Sequence, residues 1–322
     1  MKKFFSLFLK ICLSVILVFL VVKFTNLNIP KTIEQLKKTN LYWFALTTLM
    51  FTLTVFTNNY RWILLAKLLN YHITFKHGLR MYFEGAFSNN FLPTNFGGDA
   101  LRAYDLSRRD GNFVRAGSTV VMERLFGFAM MFGMIPIGIL MNKLSPDKVY
   151  FPAHFEMIML ITFFAMVIGI STCKIWTKIP FRVFEKIEYA IDEYTKCHKS
   201  LAKVILWTFV THMIFLAGNV CSAYAMGVTL KALPFWYWLL ITPASTLAGF
   251  IIPTVKGVGA KEASYIYFLG LVGINTETSL AIAFLSFLAT TISTLPGVTI
   301  AFRRFSKKAK CPPEAIVCPV EV

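Results

Sequence analysis

Residues 92–103 read LPTNFGGDALRA, and residues 252–263 read IPTVKGVGAKEA. The two stretches lie 160 positions apart in a chain of 322 residues and align without a gap. Five of the twelve positions are identical: Pro93/Pro253, Thr94/Thr254, Gly97/Gly257, Ala100/Ala260 and Ala103/Ala263. Each copy interrupts apolar sequence with Pro and Gly and places charges directly after the interruption. In a membrane chain, matched interruptions in two halves are the best sequence pointer to a binding site at a repeat interface. Pro93 and Pro253 lack an N–H and disfavour a helical residue before them. Gly97, Gly98, Gly257 and Gly259 permit a tight turn and close approach of a ligand to the backbone. A helix restarting after each glycine pair would turn its free N–H groups and positive dipole end toward the break, where a phosphate is attracted. Thr94 and Thr254 are placed to cap such helices.

The surrounding composition puts these interruptions inside a bilayer. The chain is 56% hydrophobic and 15% charged, with a mean hydropathy of +0.61, whereas soluble domains carry about 25% charge. Apolar runs approach the ~20 residues that cross ~30 Å of hydrocarbon. Residues 4–22, 41–69, 118–141, 157–173, 204–224 and 280–300 read as spans. Residues 81–92 are too short to span, and residues 235–252 run into the second break. The expected fold is an all-α polytopic membrane protein with about six full transmembrane helices. Two Pro/Gly-broken re-entrant elements accompany them in an inverted repeat; eight transmembrane helices is the alternative. Lys2 and Lys3 before the first span and Arg303, Arg304, Lys307, Lys308 and Lys310 after the last put both termini in the cytoplasm, which requires an even count, and either count is even. Residues 1–302 form the expected transmembrane domain and 303–322 a short basic cytoplasmic tail.

The formal net charge of +17 lies largely between apolar segments. It therefore speaks for membrane orientation and anionic lipid head groups, and against nucleic acid. Arg102, Arg108, Arg109 and Arg115 make the stretch 101–115 read as cytoplasmic. Residues 174–203 form a polar loop in which Phe181, Phe184, Ile187 and Ile191 recur at helical steps, as in a surface amphipathic helix. The six cysteines and five histidines have no metal-site spacing. No nucleophile–base pair or phosphate-loop motif is evident, so no cofactor, metal or catalytic residue is expected.

Several charges are harder to place on a surface. Asp99 and Arg102 are three apart and share a helix face. Lys261 and Glu262 occupy the matching stretch, and Arg102 and Glu262, equivalent in register but opposite in sign, would pair if the copies meet. Glu123 and Arg124 sit inside a span, where each charge costs about 2.5–3.5 kcal/mol on insertion scales and normally faces a bundle interior. Adjacent helical residues point about 100° apart, so these two should have different partners. Asn58, Asn59 and Arg61 either end a span or face a cavity.

Three blocks resemble one family. Asn90 to Ala103 reads N-x-x-P-x-x-x-G-G-D-x-x-R-A, Glu123 to Gly127 reads E-R-L-F-G, and Pro253 to Glu262 reads P-x-x-x-G-x-G-x-x-E. All three resemble the transmembrane domain of lysylphosphatidylglycerol synthases, the flippase-like part of the multiple peptide resistance factor. The resemblance implies an inner-membrane lipid translocase that moves an anionic or aminoacylated phospholipid, or a related lipid-linked head group. Full-length relatives add a soluble synthase domain, and this chain ends soon after its last span. Translocation is therefore expected ahead of a phosphatidylglycerol lysyltransferase activity or an accessory role in lipid or glycan synthesis. The expected partners are membrane lipids, above all anionic phospholipid, with a second copy of the chain or a lipid-synthesis enzyme as further candidates. The expected substrate site comprises Asn90, Pro93, Gly97, Gly98, Asp99, Arg102, Glu123, Arg124, Pro253, Gly257, Gly259, Lys261 and Glu262.

Overall fold

In hydrocarbon every backbone polar group must be bonded internally, which leaves helices or closed barrels. The computed structural model describes residues 29–91, 97–146, 148–171, 194, 198–251 and 258–300. Among these residues the chain is helical, without strands. The helices are α1 (Ile29–Lys37), α2 (Leu41–Leu68), α3 (Phe75–Phe91), α4 (Gly97–Ser107) and α5 (Phe113–Leu144), followed by α6 (Ala153–Ser171), α7 (His198–Ala225), α8 (Phe235–Ile251), α9 (Ala260–Leu271) and α10 (Thr276–Ser293). Asparagine starts three of them. The side chain of Asn40 accepts from the N–H groups of Tyr42 and Trp43, that of Asn112 from Arg115, and that of Asn275 from Thr278. Each asparagine thus satisfies amides that a helix start leaves unpaired.

The stretches 41–68, 113–144, 201–225 and 276–300 are long and apolar enough to cross a membrane, and 154–166 is a shorter apolar helix. Their outer faces carry Ile161, Phe164, Ile168, Leu206 and Phe209 exposed, as lipid-facing helices do. The protein is a multi-pass α-helical membrane protein. The expected first span 4–22, the amphipathic segment within 174–203 and the tail 303–322 lie outside the described residues, apart from parts of the segment. The broken elements are helix pairs folded back on themselves: α3 packs on α4, and α8 on α9. The 11 residues of α4 reach about 16 Å, half the hydrocarbon thickness. α4 alone therefore does not cross the hydrocarbon.

The repeat reaches far beyond the quoted motif. Shifted by 160, the bounds of α3 fall on 235–251, which are the bounds of α8. α2 shifts onto 201–228 against α7, α4 onto 257–267 against α9, and α5 onto a stretch beginning at 273 against α10. The equivalent helices α2 and α7 also pack along each other, and they run antiparallel. The Asn40 N–H donates to Ala225 O at 2.9 Å. Ring centroids lie 4.6 Å apart for Trp43 and Tyr224, 5.4 Å for Phe51 and Phe215, and 4.8 Å for Tyr60 and Trp207. Equivalent elements related by reversal of direction make an inverted repeat. Partner numbers in these three pairs total 266 or 267, so a residue meets its own counterpart near 53 and 213. The pseudo-two-fold axis crosses the helix pair there.

Two apolar cores flank that axis. One gathers Trp62, Leu65, Leu69, Leu106 and Val120 from α2, α4 and α5. The other gathers Ile135, Leu216, Trp238, Ile241, Leu269 and Ile282 from the second half of the chain and the end of α5.

Candidate functional site

Between the cores lies a chain of five charges, four of them buried. Arg61 (α2) donates through Nη2 to Glu123 Oε1 at 3.3 Å. Arg102 (α4) donates through Nη1 to Glu123 Oε2 at 2.8 Å and through Nη2 to Asp99 Oδ1 at 2.8 Å. Arg124 (α5) closes the series, with Nε and Nη2 on Asp99 Oδ2 at 2.8 and 2.7 Å. The signs alternate as Arg61, Glu123, Arg102, Asp99, Arg124. The Tyr82 hydroxyl (α3) adds a bond to Glu123 Oε1 at 3.0 Å. Side chains of Arg102 and Glu123 are only 3% and 2% exposed, so their desolvation must be offset by these bonds. Aromatic faces complete the cage: the Arg102 guanidinium carbon stands 4.3 Å from the Tyr82 ring centroid and 5.1 Å from that of Trp62, a cation–π arrangement.

Glycines make the approach possible. A Cβ on Gly85 would lie 2.8 Å from the carbonyl oxygen of Gly98, and one on Gly98 would collide with the Gly85 backbone. The two halves of the first broken element therefore meet backbone to backbone, which seats Arg102 between α3 and α5.

The family described as the lysylphosphatidylglycerol synthase TM region matches residues 7–297. The chain belongs to that family. No curated protein matches it. In this member of the lysylphosphatidylglycerol synthase TM region family, the E-R-L-F-G block places Glu123 and Arg124 in the buried chain, and the G-G-D-x-x-R block supplies Asp99 and Arg102.

A cavity of about 370 Å³ opens beside this network, lined by Arg61, Glu123, Arg124 and Lys261 together with Asn58, Asn89, Asn90, Thr54, Thr211 and His212. Thr54 and Thr211 put it at the level of the pseudo-two-fold axis. The charges that face it are not all satisfied. Arg61 is 5% exposed, yet its Nε and Nη1 have no hydrogen-bond partner. The Arg124 side chain is 38% exposed on the cavity side of its ion pair. Lys261, from α9, makes no hydrogen bond or ion pair among the described residues. His212 Nδ1 lies 2.8 Å from Thr208 O, and since a carbonyl only accepts, Nδ1 carries the proton there. Lys261 and Thr246 also line a second cavity of about 80 Å³, with Asn219, Thr242, Glu262 and Tyr265.

The expected site residues divide accordingly. Asn90, Glu123, Arg124 and Lys261 line the large cavity, and Asp99 and Arg102 stand behind it. Asp99 and Arg102 share a face and pair, and Glu123 and Arg124 have different partners, as their spacings require. Pro93, Pro253 and Gly257 lie outside the described residues. Gly97 opens α4, but the Gly98 N–H donates to Asn89 Oδ1 at 2.7 Å. Gly259, at φ 89°, precedes α9, and its N–H donates to Glu262 Oε2 at 2.6 Å. These two amides are therefore bonded internally. The expected pairing of Arg102 with Glu262 does not occur: Arg102 is taken by two nearer carboxylates and Glu262 by the start of its own helix. Arg102 is also buried rather than part of a cytoplasmic surface.

Sequence reasoning left Arg61 between two readings; the cavity-facing one holds. It missed Tyr82, Gly85 and His212. The only sequence signal for them is polar or glycine residues inside otherwise apolar helices.

Proposed function

We propose that this protein is a lipid translocase of the bacterial inner membrane that carries a phosphate head group through the cavity at its repeat axis. The observation that carries the reading is the incompletely satisfied cationic lining of that cavity. Two guanidinium nitrogens of Arg61 lack a hydrogen-bond partner, and Lys261 makes no hydrogen bond or ion pair among the described residues. A buried guanidinium N–H without a partner costs about 1–3 kcal/mol, a penalty a phosphate oxygen would relieve through a charge-assisted bond. Inverted broken helices around a central polar site are the arrangement through which alternating-access carriers expose one site to two sides. The membrane family points to the same class of lipid chemistry. Both termini are assigned to the cytoplasm from the flanking Lys and Arg.

The chemistry asked of the residues is binding and release. Arg61, Arg124 and Lys261 hold the phosphate. Glu123 and Asp99 keep the arginines oriented and prevent their charges from repelling one another. The acyl chains remain in the bilayer, beside the exposed apolar faces. The test is translocation of a fluorescent phospholipid in proteoliposomes. Glu123→Gln and Lys261→Gln are each expected to lower the rate at least tenfold. Lys261→Gln is the cleaner variant, because among the described residues its side chain makes no hydrogen bond or ion pair that the change would break. Full activity in both variants would overturn the site, and no translocation by the parent protein would overturn the function.

A further inference from the structure

The polar lining of the smaller cavity comes from α7, α8, α9 and α10, and most of its protons are already spent. Ser245 and Thr246 donate to Thr242 O, Thr290 to Ser286 O, and Ser286 to the Ser222 hydroxyl. The Tyr265 hydroxyl donates to Asn219 Oδ1 at 2.8 Å, and Asn219 Nδ2 donates to Phe215 O. Apart from the second Nδ2 proton of Asn219, these groups have only lone pairs left to offer. Thr242 lines the same space and is 4% exposed, yet its hydroxyl has no hydrogen-bond partner. Its neighbour Thr246 bonds a carbonyl one turn back, the usual resort of a threonine inside a helix. Glu262 is the carboxylate of this lining. Its Oε2 accepts from the Gly259 N–H at 2.6 Å, and its Oε1 has no bond among the described residues.

A buried hydroxyl without a partner is costly, so this oxygen-rich space calls for a positively charged guest. Its volume of about 80 Å³ suits a small ion and excludes a lipid head group. One carboxylate among neutral oxygens matches a single positive charge, whereas calcium gathers carboxylates and magnesium keeps its waters. Lys261 borders this cavity and the large one. Its ammonium and a guest cation are therefore rivals for the same carboxylate. With a cation beside Glu262, repulsion drives the ammonium toward the large cavity, where Arg61 and Arg124 stand. Coupling ions of inverted-repeat carriers sit beside broken helices in this way, and α8 and α9 are the two halves of such an element.

We propose that the smaller cavity binds a monovalent alkali cation through Glu262, the Thr242 hydroxyl and the neutral oxygens beside them, and that its occupation turns Lys261 toward the large cavity. Cation binding then strengthens anion binding in the large cavity, and by linkage the anion strengthens cation binding by the same factor. This coupling rests on the large cavity being a head-group site; the cation site itself does not.

The test is equilibrium binding of radioactive Na⁺ to the purified full-length protein, with choline chloride holding the ionic strength constant. Saturable binding is expected. Glu262→Gln should weaken it about tenfold, and Thr242→Val, which keeps the shape and removes the oxygen, about threefold. Lys261→Gln removes the rival cation and should tighten Na⁺ binding about tenfold, a gain that damage to the fold cannot produce. No saturable binding to the parent protein would overturn the proposal. So would binding that neither Glu262→Gln nor Thr242→Val weakens, or an affinity that Lys261→Gln leaves unchanged. Translocation of the fluorescent phospholipid is read separately, with Na⁺ or with choline on both sides of the membrane, and should be faster in Na⁺. If Na⁺ binds as expected and no lipid moves in either salt, the translocase reading fails and the cation site survives. If lipid moves equally fast in both salts, the translocase reading survives and this one fails.

Discussion

The two broken elements share a backbone plan and differ in what they do with charge. α3–α4 and α8–α9 superimpose in sequence at an offset of 160, and their partner helices α2 and α7 pack antiparallel. Yet Arg61 has Cys221 at its equivalent position, Tyr82 has Thr242, Asp99 has Gly259, Arg102 has Glu262, Glu123 has Ala283 and Arg124 has Phe284. None of the five members of the buried charge chain recurs. Where the first half is filled by long side chains bonded to one another, the second half has the smaller polar cavity, bordered by Thr242, Glu262 and Ala283. The scaffold can be duplicated because helix packing depends on the apolar pattern. An ion network cannot drift so freely, because every member lost leaves a buried partner uncompensated. One copy therefore keeps the whole set, and the other keeps none of it.

That contrast can be broken most directly at Glu123. Glu123→Ala strands Arg61 and Arg102 in the interior and is expected to destabilise the protein by about 3–5 kcal/mol. The counterpart in the second half, Glu262→Ala, loses one helix-start bond and should cost about 1 kcal/mol. Thermal or denaturant unfolding in detergent compares the two, and equal losses would dissolve the distinction. Next comes Gly98→Ala, which forces a methyl into the Gly85 backbone and is expected to cost about 1–3 kcal/mol. The equivalent position already carries Val258, so Val258→Ala should change stability by less than half of that. Lys261→Gln is expected to leave stability within about 0.5 kcal/mol while reducing translocation; a large loss of stability would mean that Lys261 is a structural residue.

The smallest effect lies in the turns after the broken elements. Asp110 closes the first turn, and Gly270 stands at its counterpart. Burial pushes the Asp110 carboxyl upward, but the Tyr71 hydroxyl at 2.6 Å, the Asn112 N–H and Arg115 outweigh it and hold the group below the ordinary aspartate range. A carboxyl lowered on folding contributes stability above the unfolded value of about 3.9, and that stability is lost as pH falls through the folded value. Hydrogen exchange should therefore show residues 108–112 loosening below about pH 4, with little change at residues 272–275. Tyr71→Phe should raise the folded value, so that the loss is smaller and complete at a higher pH.

Much of this was legible in the sequence, for definite reasons. The repeat appears in the paired Pro and Gly positions because those residues dictate backbone shape wherever they stand. Asp99 and Arg102 could be joined from their spacing alone, since three residues on a helix share a face. Glu123 and Arg124 announced themselves by the cost of charge inside an apolar span. What stayed hidden depends on distance between elements. Arg61 looks like the end of a span until α5 brings Glu123 beside it. Tyr82 and Gly85 belong to the site only because α3 folds against α4. The expected bond between Arg102 and Glu262 failed because register equivalence says nothing about proximity, and each residue found a nearer partner.

The buried series has an odd number of members, with arginine at both ends. However its bonds are exchanged, two carboxylates can never neutralise three guanidiniums. Reshuffling only changes which arginine is left over, and both end members face the same hollow. Among the described residues the network thus keeps one positive charge unmatched, and it is held at the rim of the hollow rather than in either apolar core.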